Sequence, residues 1–269
     1  EESLGVRLIQ RSTRQFTVTD VGREFYRHCL AMVVEAEAAT EAVQRMHGEP
    51  RGLVRVSCPS SVIYFQVGAM IARFMAACPY VEIMLDSTNR RVDVIGEGFD
   101  MAIRVRFPPL DDSDLVIRKL ADSTQRLVAS PALVKDFTHP LVPADLATLP
   151  SLAWGPANSE HEWCLDGPDG ATAKIPHRPR LLTEDMVALR EAALAGIGVC
   201  QFPTLVVHDD LKAGRLVDIL PGWAPRNGII HAAFPSPRGL LPSVRALMDF
   251  LAAEYAELSR IEARDSQGS

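Results

Sequence analysis

"LVRVSCPSSVIYFQVGAMIARFMAACPYVEIMLDS", Leu53–Ser87, is the stretch on which the fold turns. "LVRVSC" is a short apolar strand. "SSVIYFQVGAMIARFMAAC" is a helix with apolar residues at Val62, Val67, Met70, Ile71 and Phe74. Pro79 stops that helix, and "VEIMLDS" is a second strand. Strand, helix and strand in succession join by a right-handed crossover and pair in parallel. Downstream, "NRRVDVIGEG" reads as a short helix and "DMAIRV" as a third strand, so the unit is βαβαβ with a parallel sheet. Further strands are "QRLVAS", "SLAWG", "GVCQFP" and "GIIHAAF"; helices are "TEDMVALREAALAG", "TLVVHDDLKAG" and the amphipathic "LPSVRALMDFLAAEYAEL". Two βα lobes are the most economical arrangement, with the chain crossing near Arg126 and returning near Pro235–Pro237. Ligands of such sheets bind at the carboxyl ends of the strands, here the cleft between lobes.

Upstream, "RLIQRSTRQFTVTDVGREFY" (Arg7–Tyr26) has a different character. Leu8, Phe16 and Val18 sit on two short β-like segments with "RSTR" as a polar turn between them. Arg7, Arg11 and Arg14 give the stretch from Arg7 to Thr19 a local charge of +3, with no acid inside it. Thr19 or Asp20 N-caps the following helix, and Glu24 suits its dipole. In that helix Phe25, Met32, Ala39 and Met46 fall seven apart, with Cys29, Ala36 and Val43 between them, which is a heptad seam. Gly48 and Pro50 close it. The hairpin alone is equally a solvated surface feature, and the helix can pack on its own domain. Together they fit a dimerisation helix that sets two copies of Arg11 and Arg14 side by side against DNA phosphates.

Composition limits the function classes. The 269 residues carry 28 Lys and Arg against 34 Asp and Glu, a formal charge of −6, which argues against coating nucleic acid with the whole surface. No apolar run approaches a bilayer span, and "EESLGVRL" lacks a signal-peptide layout. Five scattered cysteines, an odd number, fit a reduced cytoplasmic compartment. There is no G-x-S-x-G elbow, no P-loop and no H-E-x-x-H. "GIGVCQF" has Gln201 where a dinucleotide fingerprint needs a third glycine. "EHEWC" (Glu160–Cys164) matches no common zinc spacing. No catalytic constellation, metal or cofactor is expected.

The motifs taken in order resemble LysR-type transcriptional regulators. "EESLGVRLIQRSTRQFTVTDVGREFY" resembles the end of that family's recognition helix, its wing and the start of its linker helix. "CPYVEIML", "EGFDMAIRV", "RLVASPALV", "LAGIGVCQFP" and "LLPSVRALMDFL" resemble landmarks of its effector-binding domain. The resemblance implies three parts. Residues 1–19 are a remnant of a winged helix-turn-helix domain, and residues 20–50 are a linker and dimerisation helix with a hinge. Residues 51–260 are a two-lobe, periplasmic-binding-protein-like effector domain, with lobe I at 51–125 and 236–260 and lobe II at 126–235. The base-reading helix lies upstream of "EESLG", so this stretch alone is not expected to bind an operator specifically. The implied partners are DNA, a small effector and a second copy of the chain, as homodimer or homotetramer, with no membrane. A stand-alone binding protein of the periplasmic type is the alternative, and an enzyme the third choice.

Candidate ligand groups follow from the strand ends. Ser60 and Ser61 in "CPSSV" sit at a strand-to-helix turn, either as N-cap or as anion donors beside helix N–H groups. Ser87, Thr88 and Asn89 end the second strand, as a capped turn or as effector contacts; the resemblance favours a contact at Ser87. Arg104 and Arg106 stand at the mouth of the third strand, for a carboxylate or for salt bridges. Thr183, Gln201, Phe202 and Pro203 come from the second lobe, and Trp154 offers an aromatic wall. These suggest a small anionic effector held by hydroxyls and an arginine. Arg11, Thr13 and Arg14 are the expected DNA-backbone contacts.

Overall fold

The computed structural model describes residues 1, 3–11, 16–44, 49–108, 115–137, 141–156, 160–235 and 240–267. Strands β1 (Ile9–Arg11) and β2 (Phe16–Val18) pair antiparallel, with Ile9 opposite Val18. Thr13, Arg14 and the side chain of Arg11 lie outside the described residues. Helix α1 (Asp20–Gln44) starts where Thr19 accepts the Gly22 N–H at 2.9 Å. The Thr19 hydroxyl also reaches the Leu8 carbonyl at 3.0 Å, which ties the helix start to the hairpin.

Lobe I is built on β3 (Gly52–Cys58), which feeds α2 (Ser60–Val62). That helix passes through a π-turn (Ile63–Val67) into α3 (Gly68–Ala77). Ser60–Ala77 as a whole is long and apolar enough to cross a membrane by length and composition, which the sequence reading did not anticipate. Its Val62, Val67, Met70, Ile71 and Phe74 are buried in the lobe I core, the use made of a core helix in a globular domain. Strand β4 (Val81–Ser87) lies parallel to β3, and β5 (Met101–Arg106) lies parallel on its other side.

The expected helix over "NRRVDVIGEG" is a turn instead. Asp93 accepts the Gly96 N–H at 3.0 Å, and Glu97 accepts the Asp93 N–H at 2.9 Å while pairing with Arg90. Side chains that bond the local backbone in this way compete with helix formation.

Strand β6 (Val116–Ser123) leads across Thr124 to β7 (Gln125–Ala129) and the short α4 (Pro131–Val134) of lobe II. There follow β8 (Ser151–Trp154), β9 (Glu162–Asp166), β10 (Thr172–Pro176) and β11 (Pro179–Thr183). Helix α5 (Met186–Leu194), β12 (Cys200–Pro203), α6 (Thr204–Lys212), β13 (Val217–Asp218) and β14 (Ala224–Pro225) complete the lobe. Strand β15 (Gly228–Phe234) and α7 (Pro242–Gln267) belong to lobe I.

The lobe I sheet has the order β4-β3-β5-β15-β6. Strand β15 is antiparallel to both β5 and β6, so the sheet is mixed rather than wholly parallel. The return crossing therefore precedes Gly228 and does not wait for Pro235–Pro237. A strand inserted between two distant partners leaves no local signal in the sequence. At the crossings, Asn227 Oδ1 accepts the Gln125 N–H at 3.2 Å, so the two connecting strands are bonded to each other. Each lobe has its own core: Val56, Phe74, Met101, Leu247 and Tyr255 in lobe I, and Leu127, Trp163 and Val199 beside Leu152, Leu189 and Phe202 in lobe II. Leu205 packs against both lobes.

Candidate functional site

The carboxyl ends of β3, β4 and β5 face the ends of β8 and β12 across a cleft. It holds a cavity of about 560 Å³, within the range of small-molecule sites. Lobe I contributes Ser61 at the start of α2, Asn89 after β4, and Arg106 with Phe107 at the end of β5. Lobe II contributes Trp154, Gln201, Pro203 and Met186, and a group not expected at the cleft: His161 and Trp163, weighed only within a zinc spacing, and His177. Gln125, buried at the crossing strands, lines the floor.

Ser61, Asn89 and Gln201 thus reach the cavity, as do Arg106, Trp154 and Pro203. Six expected residues do not line it. Ser60 and Ser87 satisfy each other, the Ser87 hydroxyl donating to Ser60 Oγ at 3.0 Å. Ser60 N–H donates to Asn89 Oδ1 at 3.3 Å, so this helix N-terminus is partly occupied by the protein's own amide. The Thr88 hydroxyl closes a local turn onto the Arg90 N–H at 3.4 Å. Thr183 Oγ1 accepts the Asp185 N–H at 3.1 Å, ahead of Asp185, which caps α5 through Val187 and Ala188. Phe202 is fully buried in the lobe II core, because β12 alternates and its neighbours Gln201 and Pro203 take the cleft face.

Arg104 is the sixth. Its guanidinium donates to the Val92 carbonyl at 2.8 Å and lines a different hollow, between α1 and the turn at 91–96. Burial, then Arg106 and Arg91, lower its pKa from the ordinary arginine value. Directly across the ladder lies His231, 2 % exposed. Burial, helped by Arg104 and Arg106, holds its pKa at about 4, so it is neutral near pH 7.

The two lobes touch through polar atoms as well as through Leu205. The Asn89 amide donates to the Glu184 carbonyl at 2.9 Å, and the Trp154 indole N–H donates to the same carbonyl at 3.1 Å. Trp154 remains 44 % exposed, enough to offer its ring to a ligand. The imidazole of His177 stacks on Trp163, ring centroids 3.8 Å apart at 12°. His177 Nδ1 lies 2.8 Å from the buried Ser151 hydroxyl. Burial first, and His161 second, hold the His177 pKa at about 4. The arrangement offers a cation and hydroxyl on one wall, the neutral imidazole of His177 on the other, and apolar surface between them. Among the described residues no group of three His, Cys, Asp or Glu is placed to hold a metal. The cysteines are not assembled into a redox pair; Cys58 and Cys200 are buried and their thiol pKa values are pushed well up by that burial.

Residues 47–256 match the sequence profile of the LysR substrate binding domain. The transcriptional regulator PtxR of Pseudomonas aeruginosa is 31% identical over 251 residues, covering 93% of this chain and 80% of PtxR. The full-length structure of AphB, a Vibrio cholerae virulence activator of the LysR type, superposes with a TM-score of 0.68 at 26% identity, over 94% of this chain and 85% of AphB. CrgA of Neisseria meningitidis, a LysR-type transcriptional regulator, gives 0.68 at 27% identity, over 94% and 85%. PtxR and CrgA are regulators of transcription by name, and AphB is a virulence activator of the same regulator type.

Proposed function

This chain belongs to the LysR family of transcriptional regulators, its two lobes forming the effector-binding domain, and from that premise we propose that the domain senses a small carboxylate. The carrying observation is the cavity between the lobes, where Arg106 and the hydroxyl of Ser61 at a helix start face one space with apolar walls. An arginine supplies a paired, charge-assisted contact to a carboxylate, and helix N–H groups favour the same charge. A ligand touching both lobes binds the closed form better than the open one and so shifts their orientation.

The readout runs through residues 20–50. Regulators of this kind are oligomeric, and the front helix has the exposed seam that a second copy would cover: Phe25 is 40 % exposed and Met32 72 %. Residues 1–19 act as the wing, with Arg11, Thr13 and Arg14 on the phosphate backbone, and residues 51–260 as the sensor. The setting is the cytoplasm, where the DNA is. A panel of small carboxylates, followed by melting temperature, tests the sensing role. At least one carboxylate should raise the midpoint while its neutral amide does not. Amides that stabilise as well as their acids would remove the anionic reading. For the assembly, Met32→Glu buries like charges at the seam, and a variant that sediments as the parent does would remove the seam from the interface.

A further inference from the structure

The buried apolar residues of the helix Ser60–Ala77 are Val62, Val67, Met70, Ile71 and Phe74. From Val67 onward they fall three and four apart, as one face of a helix requires. Between Val62 and Val67 the step is five, one residue more than an α-turn takes. The π-turn Ile63–Val67 absorbs that residue, and the Gly68 N–H closes it on the Ile63 carbonyl. A plain α-helix running on from Val62 would instead turn Gln66, Ala69 and Arg73 into the lobe I core.

Phe65 shows what the extra residue does. It packs against the lobe II cluster of Leu189, Phe202 and Val206, while Ile63, two residues earlier, packs against the lobe I core. Tyr64 meets the Phe65 ring edge-on at 5.0 Å and is itself 72 % exposed. The turn also touches α6 of lobe II. A π-turn is the rare form of helix and occurs mostly at functional places. Here it carries local costs. Gln66 Oε1 is enclosed without a hydrogen-bond partner among the described residues. A Cβ at position 68 would stand 2.8 Å from the Ile63 carbonyl oxygen, too close without a shift. The contact that offsets these costs lies in the other lobe.

We propose that this π-turn is a latch between the lobes. Its extra residue turns Phe65 out of lobe I and seats it in lobe II, so the lobes cannot part without unseating Phe65 and opening the turn. Ser61 lines the cleft one helical turn earlier, so cleft and latch are the two ends of one short helical segment. The assignment does not depend on which molecule the cleft holds.

Hydrogen exchange on the full chain, read by mass spectrometry, tests this. In the parent, the amides of the turn and those of α6 should open in one event, with the same dependence on low urea. Phe65→Ala empties the seat and should speed exchange in α5 and α6 about tenfold or more, with β3 and β4 at parent rates. Deleting Gln66 brings Val62 and Val67 four apart, so the lobe I core should hold and the turn should exchange more slowly, as α-helix. In that variant α5 and α6 should nonetheless speed up as they do in Phe65→Ala. Tyr64→Ala, on the same turn but exposed, should change nothing in lobe II. Different urea dependences for the turn and α6 overturn the proposal, since the turn then opens on its own. Parent rates in α5 and α6 of Phe65→Ala, or of the deletion variant, also overturn it. If the deletion variant does not fold, Gly68→Ala replaces it: its Cβ disturbs the closing bond and should speed the turn and α6 together, and a change confined to the turn overturns the latch.

Discussion

The two walls of the cleft are built by different rules. Lobe I presents Ser61, Asn89 and Arg106, all at the carboxyl ends of the parallel strands β3, β4 and β5. Lobe II presents Trp154 at the end of β8, which runs parallel to β11, and Gln201 from β12, which is antiparallel to β7; it adds Trp163 from β9, with His161 just before that strand and His177 just after β10. Those two strands are antiparallel. In a βαβ unit the topology itself says where a ligand lies, because strand ends and helix starts converge there. An antiparallel pair carries no such rule, and its residues enter a site wherever the tertiary packing turns them. On the carboxylate reading proposed above, the first wall would hold the anion and the second would set the rest of the ligand.

The largest difference between the lobes concerns how they are held together. Lobe I rests on one large apolar core, with a small separate cluster at Val92, Val94 and Ala102. Lobe II packs two apolar clusters and adds a buried ion network. Asp210, 1 % exposed, accepts from Arg190 at 2.6 and 2.8 Å and from Arg215 at 2.8 Å. Burial alone would raise its pKa; the two arginines outweigh that and hold it below the ordinary carboxylate value. Asp210→Ala leaves two guanidinium groups facing a void and should cost about 3–5 kcal/mol, read as a lower denaturant midpoint. Hydrogen exchange should show lobe II opening first. Equal opening of both lobes would mean that the network does not set the difference.

Acid should reach both lobes through histidine. His231 in lobe I and His177 in lobe II both have folded pKa values of about 4, below the ordinary 6.5. A depressed histidine pKa means the fold favours the neutral form. Its contribution is fully present above about pH 6.5 and is lost as pH falls toward 4. For His231, buried opposite Arg104, the loss should be on the order of 3 kcal/mol. Melting from pH 7 to 4 should show a slope that His231→Gln flattens. A variant that keeps the parent's slope would place the acid sensitivity elsewhere.

Arg104 and Arg106 sharpen the comparison within one strand. They lie two residues apart and share a face of β5, and the sequence gives no ground to choose between them. The structure separates them by place: Arg104 donates to the distant Val92 carbonyl, while Arg106, which donates to the carbonyl of its neighbour Val105 at 3.0 Å, lines the cleft. Arg106→Ala should weaken carboxylate binding by roughly 1.5–3 kcal/mol, about ten- to hundredfold. Arg104→Ala should leave it unchanged in the same calorimetry. The reverse result would mean the ligand sits under the front helix.

Much of the rest was legible, and the misses have physical causes. The hairpin, the front helix and the first strand, helix and strand of lobe I follow from period and capping, and the structure has them; the helix expected over residues 89–98 is a turn, and β6, β9, β10 and β11 were not read. Ser60, Ser87, Thr88 and Thr183 are hydroxyls at strand ends, as expected, yet they bond each other or the local backbone. A short polar side chain at a turn serves capping and ligand equally well on paper; only the distances decide. Phe202 is a different kind of error. "VCQFP" alternates, so Gln201 and Phe202 belong on opposite faces, and that was readable. His161 and His177 had no signal, because they are sixteen residues apart on either side of a strand pair whose register the sequence does not state.

The smallest effect is the most direct probe of how the two walls meet. The Glu184 carbonyl of lobe II accepts from Asn89 of lobe I and from Trp154 of its own lobe. Asn89→Ala removes the inter-lobe bond but leaves the carbonyl satisfied by the indole, so no buried acceptor is orphaned. The cost should be only about 0.5–1.5 kcal/mol, the net worth of one hydrogen bond. Asn89 also accepts the Ser60 N–H at 3.3 Å, so the same change frees one amide at the start of α2 for a ligand. These consequences oppose each other: the lobes lose a strut, and the anion gains a donor. Trp154→Phe removes the second donor alone. If the carbonyl is the shared strut, the double variant should cost more than the sum of the singles, since only there is the acceptor left bare. A strictly additive double variant would show that water already serves that carbonyl, and that Leu205 rather than Asn89 joins the lobes.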